Sequence, residues 1–218
     1  MKLARAARPL LALALLAPAA AAALLAAGAH AQTAPEPARV SPTWMLDFEH
    51  QQPRVVSYRE ADGHVRWFWY MPYKIVNNTG SIRSFIPDVT VAYDNGAIID
   101  ADKSIPASVY RLVHERVGNP LMKSPAEAAG DILDGPDYAR ESVAIWEHPN
   151  EHERGHAGEM RVFVAGISGE TQAIPHPVDP EQTIVLHRAR MLRYDLPGRP
   201  ATPRQQPIAL EETRDVMR

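Results

Sequence analysis

The sequence predicts a mainly β fold, a single antiparallel β-sandwich with one short inserted helix. Three observations carry that expectation. The run Trp67-Phe68-Trp69-Tyr70-Met71-Pro72-Tyr73-Lys74-Ile75-Val76 is dense in aromatic and β-branched residues, which fit a pleated, half-buried surface. Further runs of period-two alternation are separated by turn signals such as Asn77-Asn78-Thr79-Gly80 and Asp94-Asn95-Gly96. From Pro106 to Val117 the period becomes helical, with Val109, Leu112, Val113 and Val117 recurring on one face.

Taken in order, the chain begins with a basic start (Lys2, Arg5, Arg8), a Leu/Ala-rich run and Ala29-His30-Ala31, the pattern of an export signal over residues 1–31. An uncleaved anchor is the alternative, since the run approaches the roughly 20 apolar residues that span a bilayer. Pro18 and the weakly hydrophobic alanines disfavour it. Residues 32–43 (QTAPEPARVSPT) have no apolar period and read as a flexible leader. The domain is therefore expected over residues 44–218, with a Pro-rich C-terminal stretch.

Within it, Arg54 to Tyr58 reads as a short strand and Ala61-Asp62-Gly63 as the turn into the Trp67 strand. Alternation there puts Trp67, Trp69, Met71, Tyr73 and Ile75 on a core face. Phe68 and Tyr70 make the opposite face too apolar for water alone, so its first half is expected to be covered on both sides. Pro72 has no N–H to give a ladder and is expected at a bulge or a sheet edge. Ser84 to Tyr93 alternates again, with Phe85, Val89, Val91 and Tyr93 on one side, and Ala97-Ile98-Ile99 returns as a short strand. Pro106 and Gly118 suit the start and the end of the helix. Ser124 to Ala129 adds a helical turn, and residues 131–140 read as a loop. Ser142 to Trp146 and Met160 to Ala165 form a hairpin across a charged, His-rich loop. Gly166 to Gly169 turns the chain, Thr171 to Pro180 reads as irregular, Thr183 to Tyr194 is the last long strand, and a final strand falls near Ile208 to Leu210.

The formal charge of the whole chain is −3; residues 1–31 hold three basic and no acidic residues, so the remainder carries about −6. This dispersed negative charge lacks the concentrated basic face that offsets phosphate, which disfavours a nucleic-acid partner. There are no cysteines, so neither a disulfide nor a lipid-attachment thiol exists and the core must hold the fold unaided.

His152-Glu153-Arg154-Gly155-His156 fits the H-E-x-x-H string of zinc hydrolases, in which two histidines one turn apart on a buried helix hold the metal and the glutamate activates water. No apolar residue from Asn150 to His156 could bury such a helix. Gly166-Ile167-Ser168-Gly169-Glu170 lacks the last glycine of a nucleophile elbow and has no helix after it, so Ser168 reads as a turn residue. Asn77-Asn78-Thr79 fits the glycosylation pattern, for which a strand-ending turn is sufficient explanation. Of the aromatic strand, Tyr70 is the candidate for a stacking contact with a sugar or peptide. Glu141, Glu147, Glu151 and Glu153 lack the D-x-D-x-D-G spacing of a calcium loop and read as a solvated rim.

The segments WYMPYKIVNNTG, FIPDVTVAYDNG, P-x-x-V-Y-x-x-V, ARESVAIW, FVAGISGET and the terminal DVMR resemble those of a family of exported bacterial proteins of unknown function, across residues 44–218. The resemblance implies one exported β-rich domain similar to immunoglobulin-like sandwiches and supplies no catalytic residues. The expected function is a non-enzymatic structural or interaction module of the cell envelope, periplasmic or secreted, without a cofactor, partnered by an envelope protein and not held in the membrane once the signal is removed. The alternatives are a zinc-dependent hydrolase using His152, Glu153 and His156, and a carbohydrate-binding module using exposed aromatics around Tyr70.

Overall fold

The computed structural model describes residues 44–149, 155–179, 181–196 and 207–218. The expected export signal, the leader and the pair His152 and Glu153 lie outside the described residues. The strands are β1 (Asp47–His50), β2 (Arg54–Arg59), β3 (Val65–Val76), β4 (Arg83–Phe85), β5 (Asp88–Tyr93) and β6 (Ile98–Asp100). After the helix α1 (Ala107–Val117) come β7 (Met122–Lys123), the one-turn helix α2 (Pro125–Ala128), β8 (Gly130–Ile132) and β9 (Arg140–Glu147). The chain closes with β10 (Glu159–Ala165), β11 (Thr171–Pro175), β12 (Thr183–Asp195) and β13 (Leu210–Met217).

The strands form three sheets. The first runs β1-β3-β9-β7 with β2 also on β3; the second runs β11-β12-β10-β5-β6 with β13 also on β12; β4 and β8 make a separate pair. Every pairing is antiparallel except the short β7–β9 contact. Trp69, Met71, Tyr73 and Ile75 of β3 and Trp146 of β9 lie in one buried cluster with Val91 and Tyr93 of β5, Met160 and Val162 of β10, and Leu192 and Tyr194 of β12. The two large sheets thus share a core, and the alternation expected along β3 and β5 is the one observed.

The outer face of the first sheet has its own cluster. Phe68 and Tyr70 of β3 and Val143 and Ile145 of β9 pack against Val109 and Val113 of α1. Burying each of these valines stabilises the fold by about 1.5–3 kcal/mol, enough to hold an 11-residue helix that would be marginal alone. Pro106 precedes the helix and Gly118 ends it at φ 67°, with its N–H on the His114 carbonyl. β3 is therefore covered on both faces, as its composition required. Tyr70 is the correction: only 3 % exposed beneath α1, it offers no surface on which a ligand could stack.

Pro72 is neither at a bulge nor on a sheet edge. β2 pairs with β3 from Val65 to Tyr70 and β1 from Tyr73 to Val76, both on the same side, so Pro72 falls where one partner gives way to the next and no N–H is needed. Its carbonyl still accepts from Gln51 at 2.8 Å. Pro87 divides the alternating run 84–93 into β4 and β5, and β4 finds its partner in β8, which runs into the segment 131–140 expected to be a loop. Thr171–Pro175 is likewise a strand and not irregular chain, and the last strand extends to Met217.

Candidate functional site

Of the H-E-x-x-H string only Gly155 and His156 are among the described residues. His156 is described and lies in non-helical chain after Gly155, whose φ of 78° is left-handed and interrupts any helix between Glu153 and His156. Asn95 Nδ2 donates to the Gly155 carbonyl at 2.9 Å, and the Gly158 N–H donates to Asp94 at 3.0 Å, which ties this end of the His-rich loop to the β5–β6 turn. Among the described residues no group of three or more His, Asp and Glu is placed to hold a metal.

The Gly166–Glu170 segment has a structural task. It interrupts what would be one long strand: β10 and β11 lie on the same side of β12, and residues 166–170 bulge between them. The Ile167 carbonyl accepts from Leu46 N at 2.8 Å, and Ser168 Oγ donates to the Trp44 carbonyl at 3.2 Å while accepting from Glu170 N at 3.1 Å. Ser168 is thereby bound to backbone and 8 % exposed.

One titratable cluster escaped the sequence reading. Asp102 sits in the left-handed region at φ 63° beside the stretch of the β9 edge beyond its short pairing with β7. Its N–H donates to the Ile145 carbonyl at 2.7 Å, while its Oδ1 accepts from Ile145 N at 3.0 Å and from the Tyr110 hydroxyl at 2.7 Å. Burial pushes its carboxyl up to about 6, against the pull of the Tyr110 and Ile145 hydrogen bonds. Tyr110 is also shifted up, by burial and then by donating to this carboxylate. The arrangement staples α1 and the loop before it onto β9, replacing the ladder partner that edge lacks. No periodic signal marks two residues eight positions apart across a loop–helix junction.

That staple makes a pH-dependent prediction. Because the folded pKa lies above the unfolded value, the unfolded chain loses its proton first, so this group's contribution falls as pH rises from about 4 to 6. The size is about 1–3 kcal/mol at 1.4 kcal/mol per unit. Asp102→Asn keeps an acceptor for Ile145 and Tyr110 and removes the charge. Relative to the wild type it should gain that amount between pH 4 and 7 in urea titrations, and a difference flat with pH would show the carboxylate is not buried as described.

Two concavities lie among the described residues. One of about 220 Å³ lies near Pro72, Tyr73, Lys74, Asn119 and Glu141. Its charges answer one another, Lys74 with Glu49 at 3.7 Å and Asn119 with Glu141 through a short hydrogen bond. The other, about 390 Å³, is a trough on the outer face of the second sheet. Its walls come from three adjacent strands: Asp88 and Thr90 of β5, Phe163 and Ala165 of β10, and His187 and Ala189 of β12, with Ile86 and Gly166 at one end. Small side chains at 165, 166 and 189 create the hollow. The Arg218 guanidinium lies 4.5 Å from the Phe163 ring centroid, a cation–π contact at the rim. Ala189, Met191 and Val216 form a small buried apolar cluster beneath the trough, against which Phe163 and Ala165 pack. In sequence these residues were legible only as the outward positions of strands; their adjacency is a product of strand order.

No family model, no curated protein and no solved structure matches the chain.

Proposed function

We propose that the chain is an exported, immunoglobulin-like β-sandwich with a structural or protein-interaction role in the cell envelope, of the family its segments resemble, and that the trough on the second sheet is its contact surface. One observation carries this reading. The outer face of the first sheet is sealed by α1, whereas the outer face of the second has an apolar floor around Phe163, Ala165 and Ala189 and a hollow of about 390 Å³ with no described element over it. A floor of that kind flanked by Arg218 and Asp88 suits an extended peptide segment with apolar side chains from an envelope protein. Asp102, Tyr110 and Tyr93 are each held by a structural hydrogen bond. Among the described residues, no helix is long and apolar enough to cross a membrane.

A photo-reactive amino acid at Ala165, in the trough, and another at Arg111, exposed on α1, test this in the living cell. The expected result is a discrete adduct with an envelope protein from position 165, absent from position 111, in chain recovered from the envelope fraction. Equal labelling at both positions, or chain confined to the cytoplasm, would overturn the reading.

A further inference from the structure

The arginines of the second sheet are not equivalent. Arg161 of β10, Arg188, Arg190 and Arg193 of β12, and Arg214 of β13 each have a carboxylate within 3.6 Å. Arg218, the residue after β13, is exposed and has neither a carboxylate partner nor a side-chain hydrogen bond among the described residues. Its guanidinium lies 4.5 Å from the Phe163 ring centroid instead.

Strand order decides where that cation sits. Arg218 exchanges backbone hydrogen bonds with His187 of β12 at 2.8 and 3.0 Å, and Phe163 is on β10, the strand beyond. The Arg218 side chain therefore crosses β12 and rests at the trough, which both residues line. A guanidinium against an aromatic face is shielded from bulk water on one side and keeps its N–H donors at its edges, free to grip a carboxylate. The acids on the β5–β6 side do not supply one. Asp100 is held by Lys103 at 2.6 Å and by Thr90 at 3.2 Å, and Asp88 makes no ion pair with Arg218. Asp88 repels an acid from its own wall, so a bound carboxylate is directed to the Arg218 side.

Resting on the reading of this trough as the contact surface, we propose that its occupant is an extended protein segment with an apolar side chain and, two positions away, an aspartate or glutamate whose carboxylate binds the Arg218 guanidinium. Charge selects the acid, because Arg218 brings an unanswered positive charge to an otherwise ion-paired face. The floor selects the spacing. Phe163 and Ala165 are successive outward positions of β10, about 7 Å apart along the strand, which is also the distance between alternate side chains of an extended segment. The hollow over Ala165 and Ala189 receives the apolar side chain, and the guanidinium at Phe163 receives the acid.

NMR titration of the full chain tests this with two blocked peptides, acetyl-Gly-Leu-Gly-Glu-Gly-amide and the same peptide with Gln in place of Glu, each in both sequence orders. In one order the Glu peptide should shift the Ala165 and Ala189 amides and the Arg218 Nε resonance, and bind at least about fivefold more tightly than its Gln counterpart. Arg218→Gln should abolish that preference and Arg218→Lys should keep part of it. Arg214→Gln removes the same charge from the same strand, where it is already paired with Glu212, and should leave the preference intact. Both arginines are exposed, so neither change threatens the fold. Trough shifts with equal affinity for the two peptides, or a preference that survives Arg218→Gln, would refute the acid and leave the contact surface standing. If none of the peptides moved a trough amide, the contact surface would fall as well.

Discussion

Trp146→Ala is expected to lower the unfolding free energy by about 3–5 kcal/mol, through lost transfer energy and the cavity left behind. The side chain is fully buried between the two large sheets and stacks on Trp69 with ring centroids 6.5 Å apart. Its Nε1–H donates to the Tyr93 hydroxyl at 2.9 Å, so the alanine variant also strands a buried polar group. Tyr93→Phe isolates that part and should cost about 1–3 kcal/mol by leaving the indole N–H unsatisfied. Tyr70→Ala on the opposite face of the first sheet belongs to the same class at about 3 kcal/mol or more, because α1 covers it. Urea midpoints at unchanged slope give all three values. If Trp146→Ala shifted stability by less than 1 kcal/mol, the shared core between the sheets would be wrong.

Gly166→Ala is expected to cost about 2–4 kcal/mol from backbone geometry alone. Gly166 has φ 82°, which an L side chain rarely adopts, and a Cβ there would overlap the Ile86 carbonyl oxygen, a backbone atom that cannot rotate away. The displaced segment is the bulge that holds Trp44 to Leu46 and sets the step from β10 to β11. Gly63→Ala supplies the control: its φ is 89° but nothing lies within 4 Å, so only the conformational cost applies, about 1–2 kcal/mol. Equal losses at the two positions would mean that contact with Ile86 contributes nothing.

Much of the fold follows from local chemistry. The β3 alternation, the Asp94-Asn95-Gly96 turn and the Pro106 to Gly118 helix are each specified within a dozen residues and hold their expected places. The failures share a physical cause: they depend on what lies beside a segment. Gly130–Ile132 and Thr171–Pro175 are weak strand formers read alone, and become strands because β4 and β12 present unpaired ladders to them. Pro72 tells the same story in reverse, tolerated inside a central strand because its neighbours change there.

The candidate sites divide along the same line. His152-Glu153-Arg154-Gly155-His156 stands out in sequence, yet a five-residue string contains no packing, and Gly155 at φ 78° separates its last histidine from any helix. Asp102 and Tyr110 had no motif to announce them, and the trough is drawn from residues as far apart as Ile86 and Arg218 that strand order places side by side. By itself the sequence determined the strand faces, the helix and the absence of disulfides, because periodicity, turn preference and residue type act over short distances. Which face α1 covers, which side chains line the trough and which carboxylate is buried were decided only by tertiary structure, because each depends on groups brought together by pairing and packing across the whole chain.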